Sequence, residues 1–302
     1  MIHHVYANRS NIGDWLAARG IQGLLAGVPL EEHLCDAPFV PDTLATLRRA
    51  SERDLIVIGG GGLFMDYFVP FWEGFLDLIG DRTFVVWGVG VCDMKARPTI
   101  PDRALLDSIR ARAAMLAVRD DHTRALMGLR DQQVVPCPAM NAVTTTPVAG
   151  RNLLYADAYD NIGERARARV VQALSAFAAA TDRAYLQTDN TIEAGRTGEL
   201  HALLDRYAAA DIIVASRLHG CILAAALGRK LLAISGDRKV EAFMQQAGLH
   251  EWVAPAETLE ALESNLWRLS DQPEVADFVA RARTANHALA QSVLALHETL
   301  QG

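Results

Sequence analysis

Short β-branched runs alternate with helical stretches along the whole of this 302-residue chain, and that alternation most constrains its fold. Residues 2–7, 54–58, 83–87, 115–118 and 133–135 read as strands, as do 152–157, 184–187, 211–215 and 231–235. Residues 14–25, 43–50, 105–112, 162–180, 197–208 and 217–227 read as helices between them, and residues 275–300 as one long amphipathic helix that closes the chain. Such alternation specifies parallel sheets covered by helices. Residues 141–151 (NAVTTTPVAGR) interrupt it with proline, glycine and β-branched polar residues, in the manner of a linker. The expected architecture is α/β: two Rossmann-like domains facing a cleft. The first spans residues 1–145, and the second spans 146–302 and carries the terminal helix.

A formal charge of −7 argues against a nucleic-acid partner. The first residues lack the basic flank and apolar core of a signal peptide, and no apolar run is long enough to span a bilayer. Cys35, Cys92, Cys137 and Cys221 are scattered, without a C-x-x-C pair. This pattern predicts reduced thiols in a cytoplasmic protein, with neither a disulfide frame nor a metal site.

Residues 211–249 carry the densest chemical signal. Ser216 is the expected N-cap of a short helix that Gly228 stops, which sets Arg217 and His219 in its first turn at the carboxyl end of a strand. Ligands of open parallel sheets bind there, and free helix N–H groups attract phosphate or carboxylate. The helix start also disfavours imidazolium, so His219 is expected neutral until a bound dianion favours its protonation, a behaviour suited to a general acid. Arg119 lies at another strand end. Two arginines across a cleft could grip a small polyanion bidentately, although Arg119 also fits an ordinary surface role.

Lys239 is a further phosphate contact or a solvated side chain. Gly59–Gly62 follows a clean strand and fits either close backbone approach to a ligand or a tight strand-to-helix turn. It is neither a dinucleotide fingerprint nor a Walker A loop. Asp66, among apolar and aromatic residues, reads as a structural pair or as a base. Asp14 suits the first turn of a helix, with a cleft-facing role as the sharper reading.

Together the segments NIGD (11–14), VIGGGGLFMDYF (57–68), WGVGV (87–91), VRDDHT (118–123), PCPA (136–139), SRLHG (216–220) and DRKVEAFMQQAGL (237–249) resemble the polysaccharide pyruvyl transferase family. The resemblance implies a GT-B-like fold, phosphoenolpyruvate as co-substrate, and neither cofactor nor metal. It implies transfer of the pyruvyl group to a sugar diol, giving a cyclic pyruvate ketal on an exopolysaccharide or cell-wall glycan precursor. It further implies a donor site of Arg217, Leu218, His219, Arg119 and Lys239, catalytic roles for His219, Asp66 and Asp14, and cleft glycines Gly60, Gly61, Gly62 and Gly88. The acceptor sugar and the oligomeric state are left open. A lipid-linked acceptor would bring the protein to the inner face of the membrane as a peripheral enzyme. Two other readings stand beside this one: a nucleotide-sugar glycosyltransferase of the same architecture, and an inactive scaffold of a polysaccharide-synthesis complex.

Overall fold

The computed structural model describes residues 1–158 and 161–302. The first half runs β1 (Ile2–Tyr6), α1 (Ile12–Leu24), β2 (Leu30–Leu34), α2 (Val40–Arg48), β3 (Leu55–Phe64), α3 (Val69–Ile79), β4 (Phe84–Val91), α4 (Arg103–Arg112), β5 (Met115–Val118), α5 (Asp121–Met127) and α6 (Ala139–Ala142). The second runs β6 (Asn152–Ala156), α7 (Glu164–Ala180), β7 (Ala184–Thr188), α8 (Thr197–Ala209), β8 (Ile212–Ala215), α9 (Leu218–Ala226), β9 (Lys230–Ser235), α10 (Arg238–Gln246), β10 (Val253–Pro255), α11 (Leu262–Trp267) and α12 (Ala276–Gln301).

The strands form two five-stranded sheets, ordered β2-β1-β3-β4-β5 and β7-β6-β8-β9-β10, and every strand pair is parallel. The two orders are the same when each half is numbered from its own first strand. Each half is therefore a Rossmann-like lobe, with its crossover reversal between its first and third strands. Strand interiors such as Leu55–Ile58 and Ile212–Ala215 are wholly buried, as parallel strands covered on both faces must be.

The lobes share apolar contacts: Ile12, Trp15 and Leu16 of α1 join one core with Met140, Leu218 and Ile222. The terminal helix crosses over as well. Its Ala290 and Val293 pack on Ile2, Ile21, Val57 and Val85 of the first lobe.

Three local readings change. Gly59–Gly62 does not end the strand but lies inside β3, where the pairing to β4 shifts register between Gly61 and Phe64. Ser216 does not cap α9. It is fully buried and accepts the Ala158 N–H at 2.7 Å, tying β8 to the loop after β6, while Arg217 takes the cap position. Residues 133–135 make one isolated bridge, Val118 to Val134, rather than a strand.

Asn286 of α12 is fully buried and accepts from the Trp87 indole N–H at 2.8 Å. It donates to the carbonyls of Pro136 and Ala282, each at 2.9 Å. Asn286→Ala would strand the indole N–H and leave a void, a cost of about 2–4 kcal/mol. A thermal midpoint lowered by several degrees is the expected result, read by circular dichroism against the wild type. Among the described residues, no helix is long and apolar enough to cross a membrane.

Candidate functional site

The two crossover reversals bring the carboxyl ends of the sheets together. Backbone bonds stitch the lobes on either side of the junction. Ile12 N–H donates to the Asn190 carbonyl at 3.0 Å and Ile192 N–H to Ser10 at 2.9 Å, while Arg238 N–H reaches the Asp93 carbonyl at 3.0 Å and Lys95 N–H reaches Gly236 at 3.1 Å. Between them lies a cavity of about 190 Å³. Asn11, Asp14, Gly62, Met65, Phe68, Cys92 and Arg119 line it from the first lobe, and Asn161, Arg217, Leu218, His219 and Lys239 from the second. Ligands of doubly wound sheets bind at such switch points.

The sequence seats each polar side chain locally. Asn11 caps α1 by accepting the Gly13 N–H at 3.0 Å, which fixes Asp14 in the first turn. The Asp14 carboxylate lies against Gly61, where an added Cβ would come within 2.5 Å of Oδ1. Arg119 follows β5 and is 3% exposed. Its Nε donates to Asp120 at 3.2 Å and a terminal nitrogen donates to the Val91 carbonyl at 3.1 Å. Its guanidinium fills the space left by Gly90, where an added Cβ would stand 2.3 Å from Nε. Arg217 donates from Nε to the Asp157 carbonyl at 2.8 Å. The His219 ring occupies the space beside Gly13, where a Cβ would fall 1.9 Å from Nδ1, and its Nε2 is 3.7 Å from the Cys137 sulfur. Lys239 pairs with Asp237 at 2.6 Å and reaches the Cys92 sulfur at 3.1 Å. The glycine-rich strands therefore make room for the side chains of the site.

Burial sets the protonation states. It pushes the Asp14 carboxyl up to about 6, even though Arg119, Lys239 and Arg217 pull the other way. Burial also drives His219 well below its ordinary value, and the same three cations add to the effect. The ring is therefore neutral, as expected, but the helix end is not the main reason. For Arg119, burial opposes the charge, and nearby acidic groups, Asp120 first and Asp237 among them, outweigh it, so the group stays cationic.

The cavity thus unites Asp14, Gly62, Arg119, Arg217, Leu218, His219 and Lys239. Asp66 lies outside its lining. It is half-exposed and pairs with Arg97 at 2.8 Å, so it is neither buried nor enclosed by the apolar neighbours its sequence context implies. Gly60 packs against Ala17 of α1, Gly61 against Asp14 and Gly88 against Pro138, and none of the three lines the cavity. Asn11, Met65, Phe68, Cys92 and Asn161 line the cavity without having been named as candidates from the sequence. Asn11 opens the NIGD segment and Cys92 directly follows WGVGV, so their position could have flagged both.

A neighbouring cavity of about 460 Å³ in the second lobe is lined by Asp157, Gln187, Asp189, Thr191, Glu199 and Arg206, among others. It is larger but poorer in cations and holds no histidine, so the smaller cavity is the better candidate for an anionic substrate.

The family model for polysaccharide pyruvyl transferases matches residues 11–238. No curated protein matches the chain by sequence. Among solved structures, a UDP-GlcNAc 2-epimerase of Methanocaldococcus jannaschii, in complex with UDP-GlcNAc and UDP, superposes with a TM-score of 0.55 at 10% identity, over 90% of this chain and 93% of that one. A Listeria monocytogenes protein assigned as a UDP-N-acetylglucosamine 2-epimerase gives 0.60 at 12% identity, over 97% and 94%. An uncharacterized protein of Klebsiella pneumoniae gives 0.53 at 13% identity, over 83% and 89%. At these identities the likeness is one of fold: two Rossmann-like lobes around a cleft, the GT-B-like arrangement.

Proposed function

Because the chain belongs to the polysaccharide pyruvyl transferase family, we propose that it moves the pyruvyl group of phosphoenolpyruvate onto two hydroxyls of a saccharide, forming a cyclic ketal. The observation that carries this reading is the convergence of Arg119, Arg217 and Lys239 with a neutral histidine and a carboxyl group in one small cavity. Size favours it too. Cavities for drug-sized ligands run to roughly 300–1,000 Å³. One of about 190 Å³ suits a three-carbon phosphate ester.

In the proposed reaction, the arginines and Lys239 hold carboxylate and phosphate. Protonation of the methylene carbon leaves an oxocarbenium-like centre at C2, which one sugar hydroxyl attacks. Phosphate then leaves and the second hydroxyl closes the ring. Of the two hydroxyl protons, one balances the proton added to carbon and the other leaves with phosphate. His219 is the proposed proton donor, since a bound phosphate dianion offsets the three cations that keep its ring neutral. Asp14, poised near neutrality, is the proposed base for a hydroxyl. The acceptor is a glycan precursor, and a lipid-linked one would draw the protein to a membrane surface.

A nucleotide-sugar reaction is the second reading. The fold it shares with UDP-GlcNAc 2-epimerases favours it. A nucleoside diphosphate sugar would need the neighbouring cavity of about 460 Å³ as well. Isothermal titration separates the two. Saturable binding of phosphoenolpyruvate, weakened at least tenfold in Arg217→Ala, is the expected result. Binding of UDP-sugars with no response to phosphoenolpyruvate would move the assignment to the second reading.

A further inference from the structure

At the other end of the first sheet, away from the cavity, β1 and β2 bring two histidines and a glutamate together. His3 pairs in register with Glu31, and His33 stands two residues further along β2, so the three side chains share one face. His3 Nδ1 is 3.0 Å from His33 Nε2 and 3.5 Å from a Glu31 carboxylate oxygen, and that oxygen is 3.9 Å from His33 Nε2. Among the described residues this is the one group of three such side chains whose ligand atoms lie within 4.8 Å of one another.

We propose that His3, His33 and Glu31 form a binding site for a divalent transition-metal ion, with zinc as the reference ion. Zinc–nitrogen and zinc–oxygen bonds of about 2.0–2.1 Å at tetrahedral angles hold ligand atoms about 3.3 Å apart. The three separations here bracket that edge. Both rings are buried, at 3% exposure for His3 and 7% for His33.

The surroundings fit the same purpose. His3 Nε2 is buried without a hydrogen-bond partner, and the Asp54 carboxylate lies 3.6 Å away. A metal-bound histidine turns its second nitrogen toward a carboxylate in this way, which fixes ring and tautomer. Asp54 is itself held by the Met1 amine at 3.0 Å and the Ser51 N–H at 2.8 Å. Glu31 is half-exposed, which gives an entry path and room for a water molecule as fourth ligand. The ion would clamp edge strand β2 to β1 and serve stability rather than the reaction in the cleft.

The test uses the full chain without an affinity tag, stripped with chelator and titrated with zinc against a chromophoric competitor. One zinc per chain at micromolar affinity or tighter is expected. Saturation at a hundredfold excess over Kd should raise the thermal midpoint by roughly 3–5 °C. Glu31→Gln and His33→Gln should each weaken binding at least tenfold, and Asp54→Asn by about 10–100-fold. Thermal midpoints in chelator confirm that each variant is folded. Glu31 carries the decisive comparison because a half-exposed edge position tolerates the change. Stoichiometric cobalt binding with the visible spectrum of a tetrahedral site, lost in both ligand variants, would support the geometry. Absence of stoichiometric zinc in the wild type overturns the proposal. So does undiminished affinity in both Glu31→Gln and His33→Gln, which would trace the binding to the amino terminus instead.

Discussion

His219→Gln is expected to lower the turnover of phosphoenolpyruvate by a factor of about 10²–10⁴ while changing its affinity by less than about tenfold. Glutamine keeps a polar side chain of similar reach but holds no transferable proton. The argument rests on the ring's surroundings. Among the described residues its one hydrogen-bonding contact is Nε2 to the Cys137 thiol at 3.7 Å, and burial plus the charges of Arg119, Lys239 and Arg217 keep it unprotonated in the free protein. Bound phosphate screens those cations and raises the ring's affinity for a proton, so the acid forms as the donor arrives. The sign follows. In the wild type, kcat should fall as pH rises through the raised value in the complex, because the protonated ring is consumed there. The variant should lose that alkaline limb. A variant with wild-type turnover, or with the same limb, would remove His219 from proton transfer and leave it a phosphate contact.

The parts of this site that the sequence discloses are those that depend on local order. Arg217 and His219 are legible because a buried run ending at Ala215 and a short apolar helix admit one arrangement, with both side chains at a strand's carboxyl end. Asp14 is legible for the same reason, in the first turn of the helix that follows β1. Asp66 misleads because its neighbours are apolar and aromatic, yet a short 3-10 turn swings it outward to Arg97. Nothing local announces that swing.

The glycines are half legible. Their clustering signals close approach, but what approaches is Asp14 at Gly61, Arg119 at Gly90 and Ala17 at Gly60, each from another element. Elements with weak patterns are the hardest to see. Edge strand β2 reads Leu-Glu-Glu-His-Leu, with no β-branched residue and no clean alternation, since exposed Glu31 and buried His33 share a face. With β2 unrecognised, the juxtaposition of His3, Glu31 and His33 is invisible, since they meet only through the register of β1 with β2. The crossing of α12 to the first lobe is equally silent, because amphipathic spacing gives a helix an apolar face without naming its partner.

Asp14→Asn should abolish most activity and stabilise the protein at once. Burial raises the carboxyl from its ordinary value of 3.8 to about 6, so the folded state holds a proton more tightly than the unfolded state. Between those two values the native protein carries more protons, and its stability therefore falls as pH rises through the window. Above pH 6 the penalty is fully present. Two pKa steps correspond to nearly 3 kcal/mol, and partial solvent contact reduces that to about 1–2 kcal/mol. Asparagine has no charge to bury, so the variant's thermal midpoint should exceed the wild type's by a few degrees at pH 8. The difference should shrink below pH 6 and vanish only near pH 3, below the ordinary value of 3.8, where the carboxyl is neutral in both the folded and the unfolded state. Loss of the base should lower kcat by about 10²–10³. Stability held back for function is the usual cost of a carboxylate poised near neutrality in a cleft. An inactive variant with no gain at pH 8 would mean that Asp14 is ionised at little cost in the fold, and the base role would then lack the perturbed carboxyl on which it rests.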